Sequence, residues 1–306
     1  MRMLVVGAGS TGGYFGGRLA QSGRDITFLV RPARAAQLAE RGLQIISPHG
    51  DFTLQPQLVT ADRLSGSYDA ILLSVKAFSL DSALADMAPA VGPETMLLPV
   101  LNGMKHVDTL ADRFGGRLLI GCACKIAGSI DDQGRVVQHN LTQDLAYGEL
   151  GGEVSPRIQA LDHFMRDSGF DARLSPAIER EMWEKWILLA GLGGINCLMR
   201  GTIGEVVQAP RGTEFALAML EEIIGVVAAV GVPPSPEFVG ATRAALTATG
   251  SSLTSSMYRD LQRGARLEAD QIIGDLIVRG ETAGLRIPLL EAIYTHLCVY
   301  QRRVIS

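Results

Sequence analysis

Over the first hundred positions, apolar residues come in short unbroken runs. Residues 3–6, 25–30, 70–75 and 96–101 are largely apolar and are bounded by glycine, proline or polar residues. Such runs are the pattern of strands buried on both faces. Helical spacing follows the first run, from a glycine turn to about Ser22, and returns over residues 34–41. Residues 43–54 read as a hairpin turning at His49-Gly50. Strands alternating with helices predict parallel βαβ units.

Beyond position 117 the pattern changes. Residues 117–128 and 135–148 read as strands joined by a turn at Asp131-Asp132-Gln133-Gly134, and are expected to extend the sheet as an antiparallel pair. From Pro176 onward the chain reads as almost wholly helical, punctuated by Pro210, Pro233, Pro234 and Pro288. The expected fold class is therefore α/β. A Rossmann-type, doubly wound domain over residues 1–175 is followed by an all-helical domain over residues 176–306. A chain of 306 residues suits two domains.

Composition narrows the function classes. A net charge of −4 and the absence of any lysine or arginine stripe argue against nucleic acid as a partner. The longest uncharged apolar run, residues 186–199, falls short of the ~20 residues of a membrane-spanning helix. The chain opens on a strand with no signal-peptide pattern, so the cytoplasm is the expected location. Cys122, Cys124, Cys197 and Cys298 have no zinc or redox spacing and read as buried reduced thiols. His49, His106, His139, His163 and His296 show no metal spacing either, and no metal is expected.

Gly7-Ala8-Gly9-Ser10-Thr11-Gly12 matches G-x-G-x-x-G, with a strand before it and a helix after it. The first glycine permits a tight turn, the second lets backbone approach a pyrophosphate, and the third lets helix pack on strand. The helix N-terminus would face the phosphates. Gly191-Leu192-Gly193-Gly194 is a near-match without that context. The second strand ends Leu29-Val30-Arg31, with Arg34 close behind and no carboxylate. NAD sites place an acid there for the ribose 2′-hydroxyl, whereas NADP sites supply arginine. NADP(H) is the expected cofactor, with Arg31 on its 2′-phosphate.

With these residues in place, the chain resembles the ketopantoate reductase (2-dehydropantoate 2-reductase) family over nearly its whole length. The resemblance is carried by the glycine motif continued to Gly13, Val75-Lys76-Ala77, Leu101-Asn102-Gly103-Met104 and Trp183-Glu184-Lys185. Thr254-Ser255-Ser256-Met257, Asp260 and Glu268 complete it. It implies that Lys76 and Asn102 lie beside the cofactor, with Asn102 also near the substrate. It further implies that Lys185 is the general acid, that Ser256 holds the substrate carboxylate, and that Glu268 lies near substrate and cofactor. The implied reaction is NADPH-dependent reduction of ketopantoate to pantoate, a step of pantothenate biosynthesis, and a homodimer is among the expectations.

Without the resemblance, Lys76 would read as a strand-end surface lysine, Asn102-Gly103 as a turn, and Glu268 as a solvated helix residue. Lys185 has support of its own. At about 100° per residue, Ile178, Met182, Leu189, Leu192 and Asn196 fall within about 60° of it, so it heads a helix apolar on nearly every side. The competing reading is a surface ion pair with Glu181, four residues earlier. Ser256 and Glu268, twelve residues apart, could meet along one helix only if Ser256 lies near its start. His106 and Lys125 are further residues that could approach a site.

One departure bears on the substrate. Members of the family that reduce ketopantoate carry asparagines four and eight residues after the lysine, where this chain has Leu189 and Gly193. Asn196 shares the face but lies ~16 Å further along a straight helix, a poor replacement. Two alternatives therefore stand beside ketopantoate reduction. One is an NADP(H) reductase of a different 2-oxo acid or an imine on the same two-domain plan; the other is a noncatalytic NADP(H)-sensing module. The paired presence of Lys185 and Glu268 argues against the sensor, which needs no proton donor.

Overall fold

The computed structural model describes residues 1–305. From the N-terminus the elements run β1 (Arg2–Val6), α1 (Ser10–Gln21), β2 (Asp25–Leu29), α2 (Pro32–Arg41), β3 (Leu43–Ile46), β4 (Phe52–Leu54), β5 (Gln57–Val59) and β6 (Ala70–Leu73). Next come α3 (Leu80–Met87), β7 (Met96–Pro99), α4 (Lys105–Phe114), β8 (Gly121–Ile130), β9 (Val136–Gly148), α5 (Pro156–Met165) and β10 (Asp171–Leu174). The rest is helical: α6 (Ile178–Met199), α7 (Ile203–Gln208), α8 (Gly212–Val230), α9 (Pro236–Leu246), α10 (Ser256–Gln262), a π-turn (Asp270–Gly274), α11 (Asp275–Thr282) and α12 (Pro288–Ile305). The chain divides into two compact units. The first comprises Met1–Leu101 and His106–Glu179; the second comprises Asn102–Lys105 and the residues from Arg180 on.

In the first unit, five parallel strands run in the order β5-β2-β1-β6-β7, so the chain reverses direction across the sheet between β1 and β6. This is the doubly wound Rossmann arrangement, whose ligand crevice lies at the carboxyl ends of the strands beside that reversal. Alternate residues of β1 feed two separate cores. Met3 and Val5 pack with Tyr14, Phe15 and Phe28, and Leu4 and Val6 with Leu80, Leu84 and Leu110. Both faces are covered, which is why the strand sequences are continuously apolar rather than alternating.

The expectation that residues 117–148 extend this sheet is corrected. β8 and β9 do form an antiparallel pair, closed by a turn in which Gly134 N–H donates to Asp131 O at 2.9 Å. They belong, however, to a second sheet ordered β10-β9-β3-β4, with β8 on β9. The chain touches the first sheet only in passing, where Ile120 N–H donates to Leu97 O at 2.9 Å. The hairpin at 43–54 is present, with Leu43 opposite Leu54, and its β3 strand pairs β9 at Ile45–Val136. Helix α1 lies between the two sheets, and glycines let it. A Cβ on Gly16 would stand 2.8 Å from the Phe28 ring, and one on Gly17 would stand 2.6 Å from Ile45 Cδ1.

The second unit is all-helical and is built around α6. Glycines on this helix admit neighbours: Gly191 faces Leu246 and Ile223, and Gly194 faces Met219 and Ile293. Among the described residues no helix is long and apolar enough to cross a membrane, and no group of three or more metal-ligating side chains is brought together.

Candidate active site

In the first unit, the expected nucleotide residues are built on the first turn of the Rossmann sheet. β1 ends at Val6, and Gly7 takes φ +95° with its N–H donating to Leu29 O at 3.0 Å. A Cβ at Gly7 would lie 2.5 Å from Ser74 O, and one at Gly12 only 2.2 Å from Gly7 O. Both positions therefore exclude side chains, one by backbone conformation and closeness, the other by closeness alone. Gly9 differs: nothing stands within 4 Å of the place where its Cβ would be. Its openness, at the N-cap of a helix with no side-chain cap and no acid in its first turn, leaves room for an anion against backbone N–H groups. Ser10, Thr11 and Gly12 form the first turn of α1 behind it.

Gly7, Ala8, Gly9, Arg31 and Lys76 line one cleft of about 750 Å³ along the carboxyl ends of β1, β2 and β6. The structure thus brings these expected nucleotide residues together. Arg31 is the N-cap of α2 and is exposed, and among the described residues its guanidinium enters none of the hydrogen bonds or ion pairs seen. Arg34 has another task. It donates to Ala8 O at 3.1 Å, Gly134 O at 2.8 Å and Gln37 Oε1 at 2.5 Å, tying the glycine turn to the β8–β9 turn. Burial holds its pKa below the ordinary guanidinium value. Sequence reasoning missed three further lining residues. Phe78 and Ile130 are exposed apolar side chains, and Asp62 comes from the turn after β5. Asp62 is 74% exposed, so its charge is well solvated and weakly felt across the cleft.

The other expected residues, Lys185, Asn102, Ser256 and Glu268, all lie in the second unit. Helix α6 begins at Ile178, so Lys185 stands two turns inside it rather than at its head, and it is half-buried. From Met182 to Cys197 the helix is buried apart from Glu184, Lys185, Leu188 and Leu189. Glu184 is occupied elsewhere: its carboxylate accepts from Ser235 N–H and Ser235 Oγ–H, both at 2.8 Å, at the start of α9. With half-buried Glu181, the remaining three form one open stripe about 100° wide, centred near Lys185.

Ser256 is the first residue of α10, with Ser255 as N-cap accepting from Tyr258 N–H at 3.0 Å. The single helix imagined from Ser256 to Glu268 is not present. Gly264, at φ +67°, ends α10: its N–H donates to Leu261 O at 3.1 Å and Ala265 N–H to Asp260 O at 2.9 Å. That pair of bonds is a Schellman stop. Glu268 is buried in the segment that leads into the π-turn, and its carbonyl accepts from Ile272 N–H at 3.0 Å.

The π-turn links the expected residues of the second unit to one another. Trp186 Nε1–H donates to Ile272 O at 2.9 Å, pinning the turn to α6 one residue beyond Lys185. Gln271 Nε2–H donates to Asn102 O at 3.1 Å, and a Cβ on Gly103 (φ +79°) would lie 2.6 Å from Gln271 O. Asn102 is therefore seated on the turn that follows Glu268, through a glycine that nothing larger could replace. Asn196 is fully buried and serves structure: its Oδ1 accepts from Ser255 N–H at 2.9 Å and its Nδ2–H donates to Gly201 O at 2.8 Å. His106 is buried at the start of α4, not on a helix surface, and Lys125 is exposed on β8 opposite Asp144.

The family model described as ketopantoate reductase PanE/ApbA matches residues 3–152, and its C-terminal counterpart matches residues 177–301. The chain belongs to the ketopantoate reductase family. Relatives in it are oxidoreductases, and so is this chain. An uncharacterized oxidoreductase of Bacillus subtilis, YkpB, is 34% identical over 301 residues, covering 98% of this chain and 99% of that one. The crystal structure of 2-dehydropantoate 2-reductase from Geobacter metallireducens GS-15 is 26% identical with a TM-score of 0.86, over 97% of this chain and 99% of that one. D-mandelate dehydrogenase, solved with NADH and anilino(oxo)acetate, has a TM-score of 0.87 at 20% identity over the whole of both chains, a likeness of fold.

Proposed function

We propose that this member of the ketopantoate reductase family uses NADPH to reduce a 2-oxo acid to the corresponding 2-hydroxy acid. Residues 1–175 would bind the nucleotide and residues 176–306, with Asn102, the acid. The observation that carries the reading is Lys185, a half-buried ammonium on the open stripe of an otherwise buried helix. A lysine so placed can hold a proton at Nζ and pass it to an alkoxide forming on the keto oxygen. The reduced nicotinamide, when bound, supplies the hydride.

The other residues bind and orient. The glycine turn and the uncapped start of α1 suit a pyrophosphate, and Arg31 suits a 2′-phosphate, which a planar guanidinium binds through two hydrogen bonds. Lys76, at the edge of the same cleft, adds positive charge for the nucleotide. Ser256 Oγ–H, at the start of α10, can donate to the substrate carboxylate. Asn102, whose backbone carbonyl accepts from Gln271, can turn its side-chain amide to the substrate, and the Glu268 carboxylate can accept from cofactor or substrate hydroxyls.

Ketopantoate is the acid that family membership implies. A different 2-oxo acid is the second reading, favoured by Leu189 standing beside Lys185 where a hydrogen-bonding side chain would serve a hydroxylated substrate. The test is to follow reduced-nicotinamide absorbance with a panel of 2-oxo acids, for wild type and Lys185→Ala. Substrate-dependent NADPH oxidation that the variant loses is expected. Tight NADPH binding with no turnover of any 2-oxo acid would instead leave the nucleotide-sensing alternative.

A further inference from the structure

The surroundings of Lys185 say more about the acid than that it has a keto group. On the open stripe of α6, Leu188 and Leu189 lie about 60° and 40° to either side of Lys185, one turn further along. Past them the helix carries Gly193, and its missing side chain is replaced from outside: a Cβ there would stand 2.8 Å from Met257 Cε. Met257 follows Ser256 directly in α10 and is buried, its thioether filling the place that Gly193 leaves bare. The next polar side chain along that face, Asn196, has both ends of its amide engaged with Ser255 and Gly201. Ser255 itself is buried and accepts from Tyr258 N–H as the helix cap. The side chains that flank Lys185 on the open stripe are thus leucines, and a methionine fills the glycine position one turn beyond Leu189.

Resting on the reading of Lys185 and Ser256 above, we propose that the acid carries an apolar side chain with no hydroxyl, and that Leu188, Leu189 and Met257 select it. With the carboxylate at Ser256 and the keto oxygen at Lys185, the remaining substituent of the keto carbon packs on these three side chains. A hydroxyl buried there would give up its water without gaining a partner, whereas methyl or larger apolar groups gain by leaving water. The methionine adds adaptability, since an unbranched thioether shifts to fit branched or bulky groups.

The deciding comparison uses two acids that differ by one hydroxyl, 3,3-dimethyl-2-oxobutanoate and its 4-hydroxy derivative, ketopantoate. With the full-length enzyme and NADPH, kcat/KM is expected to favour the unhydroxylated acid by about tenfold or more. Leu189→Asn, at a half-buried position that tolerates a polar group, is expected to shrink that ratio by improving ketopantoate. A wild-type ratio at or below one overturns the proposal while leaving the reductase reading intact. If neither these two acids nor any other 2-oxo acid of the panel is reduced, the reading of the site fails and the proposal falls with it.

Discussion

Removing the Asn196 amide should damage substrate binding from a distance. The side chain is fully buried and joins α6 to the start of α10, where Ser256 is the first residue. Asn196→Ala deletes the acceptor of Ser255 N–H, 2.9 Å away, and the donor to Gly201 O, 2.8 Å away, and both partners are buried. The 3.5 Å contact to Leu253 O counts for little, because that residue is exposed and water can replace the amide. Two buried polar groups left unpaired cost ~1–3 kcal/mol each, so a loss of about 2–6 kcal/mol is expected. Urea unfolding of wild type and variant measures it as a shift of midpoint at constant slope. The functional consequence is separable. Ser256 loses its tether, so KM for the 2-oxo acid should rise by about tenfold while NADPH Kd stays within twofold, because the glycine turn, Arg31 and Lys76 belong to the first unit. A folded variant with lowered stability and an unchanged KM would show that Asn196 only packs. One whose stability matches wild type within about 0.5 kcal/mol would refute the hydrogen-bond argument itself.

Lys185→Ala should lower kcat by ~10²–10⁴ with NADPH affinity nearly unchanged, and Lys185→Arg should not restore it, because guanidinium holds its proton too tightly. A folded alanine variant that keeps more than about a third of kcat removes Lys185 from the chemistry. Fluorescence titration should separate the two arginines of the nucleotide cleft. Arg31→Ala weakens NADPH tenfold to a hundredfold and NADH scarcely, whereas Arg34→Ala, which frees Ala8 O and Gly134 O, weakens both alike and lowers stability. Equal wild-type affinity for the two nucleotides counts against Arg31. The Arg157 guanidinium, aided by Ser155, holds the buried Glu149 carboxyl below the ordinary carboxylate range against the opposing effect of burial. A depressed folded pKa gives stability that is complete above about pH 5 and lost as pH falls through the folded value. Glu149→Gln should therefore flatten the acid limb of the urea midpoint, and an equally steep limb in both proteins would show that this pair is not its source.

The features legible in the sequence were those decided locally. The glycine motif, the apolar runs and the turn at Asp131–Gly134 carry their own geometry, and each stands where the pattern puts it. β5 and β10 were passed over because three or four residues of mixed polarity become strand only through parallel partners, Thr27–Leu29 for one and Asp144–Tyr147 for the other. Sheet membership failed in the same way. A hairpin announces itself, but the pairing of Ile45 with Val136 spans some ninety residues and leaves no local trace. The break between Ser256 and Glu268 is a different case: Arg263-Gly264 was a helix stop in plain view, and the spacing argument ran through it.

The candidate residues of the two units differ in legibility because they differ in what builds them. Nucleotide contacts come from backbone at the end of one strand, so a six-residue motif nearly specifies them. The residues proposed to hold the substrate are positioned by contacts across helices: Gln271 under Asn102, Met257 over Gly193, Asn196 beneath Ser255. Periodicity correctly marked α6 as buried, yet it could not show that the opening on that helix falls at Lys185, Leu188 and Leu189. That opening exists because α8, α9 and α12 cover the other faces through contacts at Gly191 and Gly194. A fold of this kind can keep its cofactor motif and its proton donor while changing the acid it takes, since one side chain from α10 suffices to refill the wall. Met257 occupies that position here, which makes it the residue whose substitution should move specificity with the least disturbance to binding of the nucleotide.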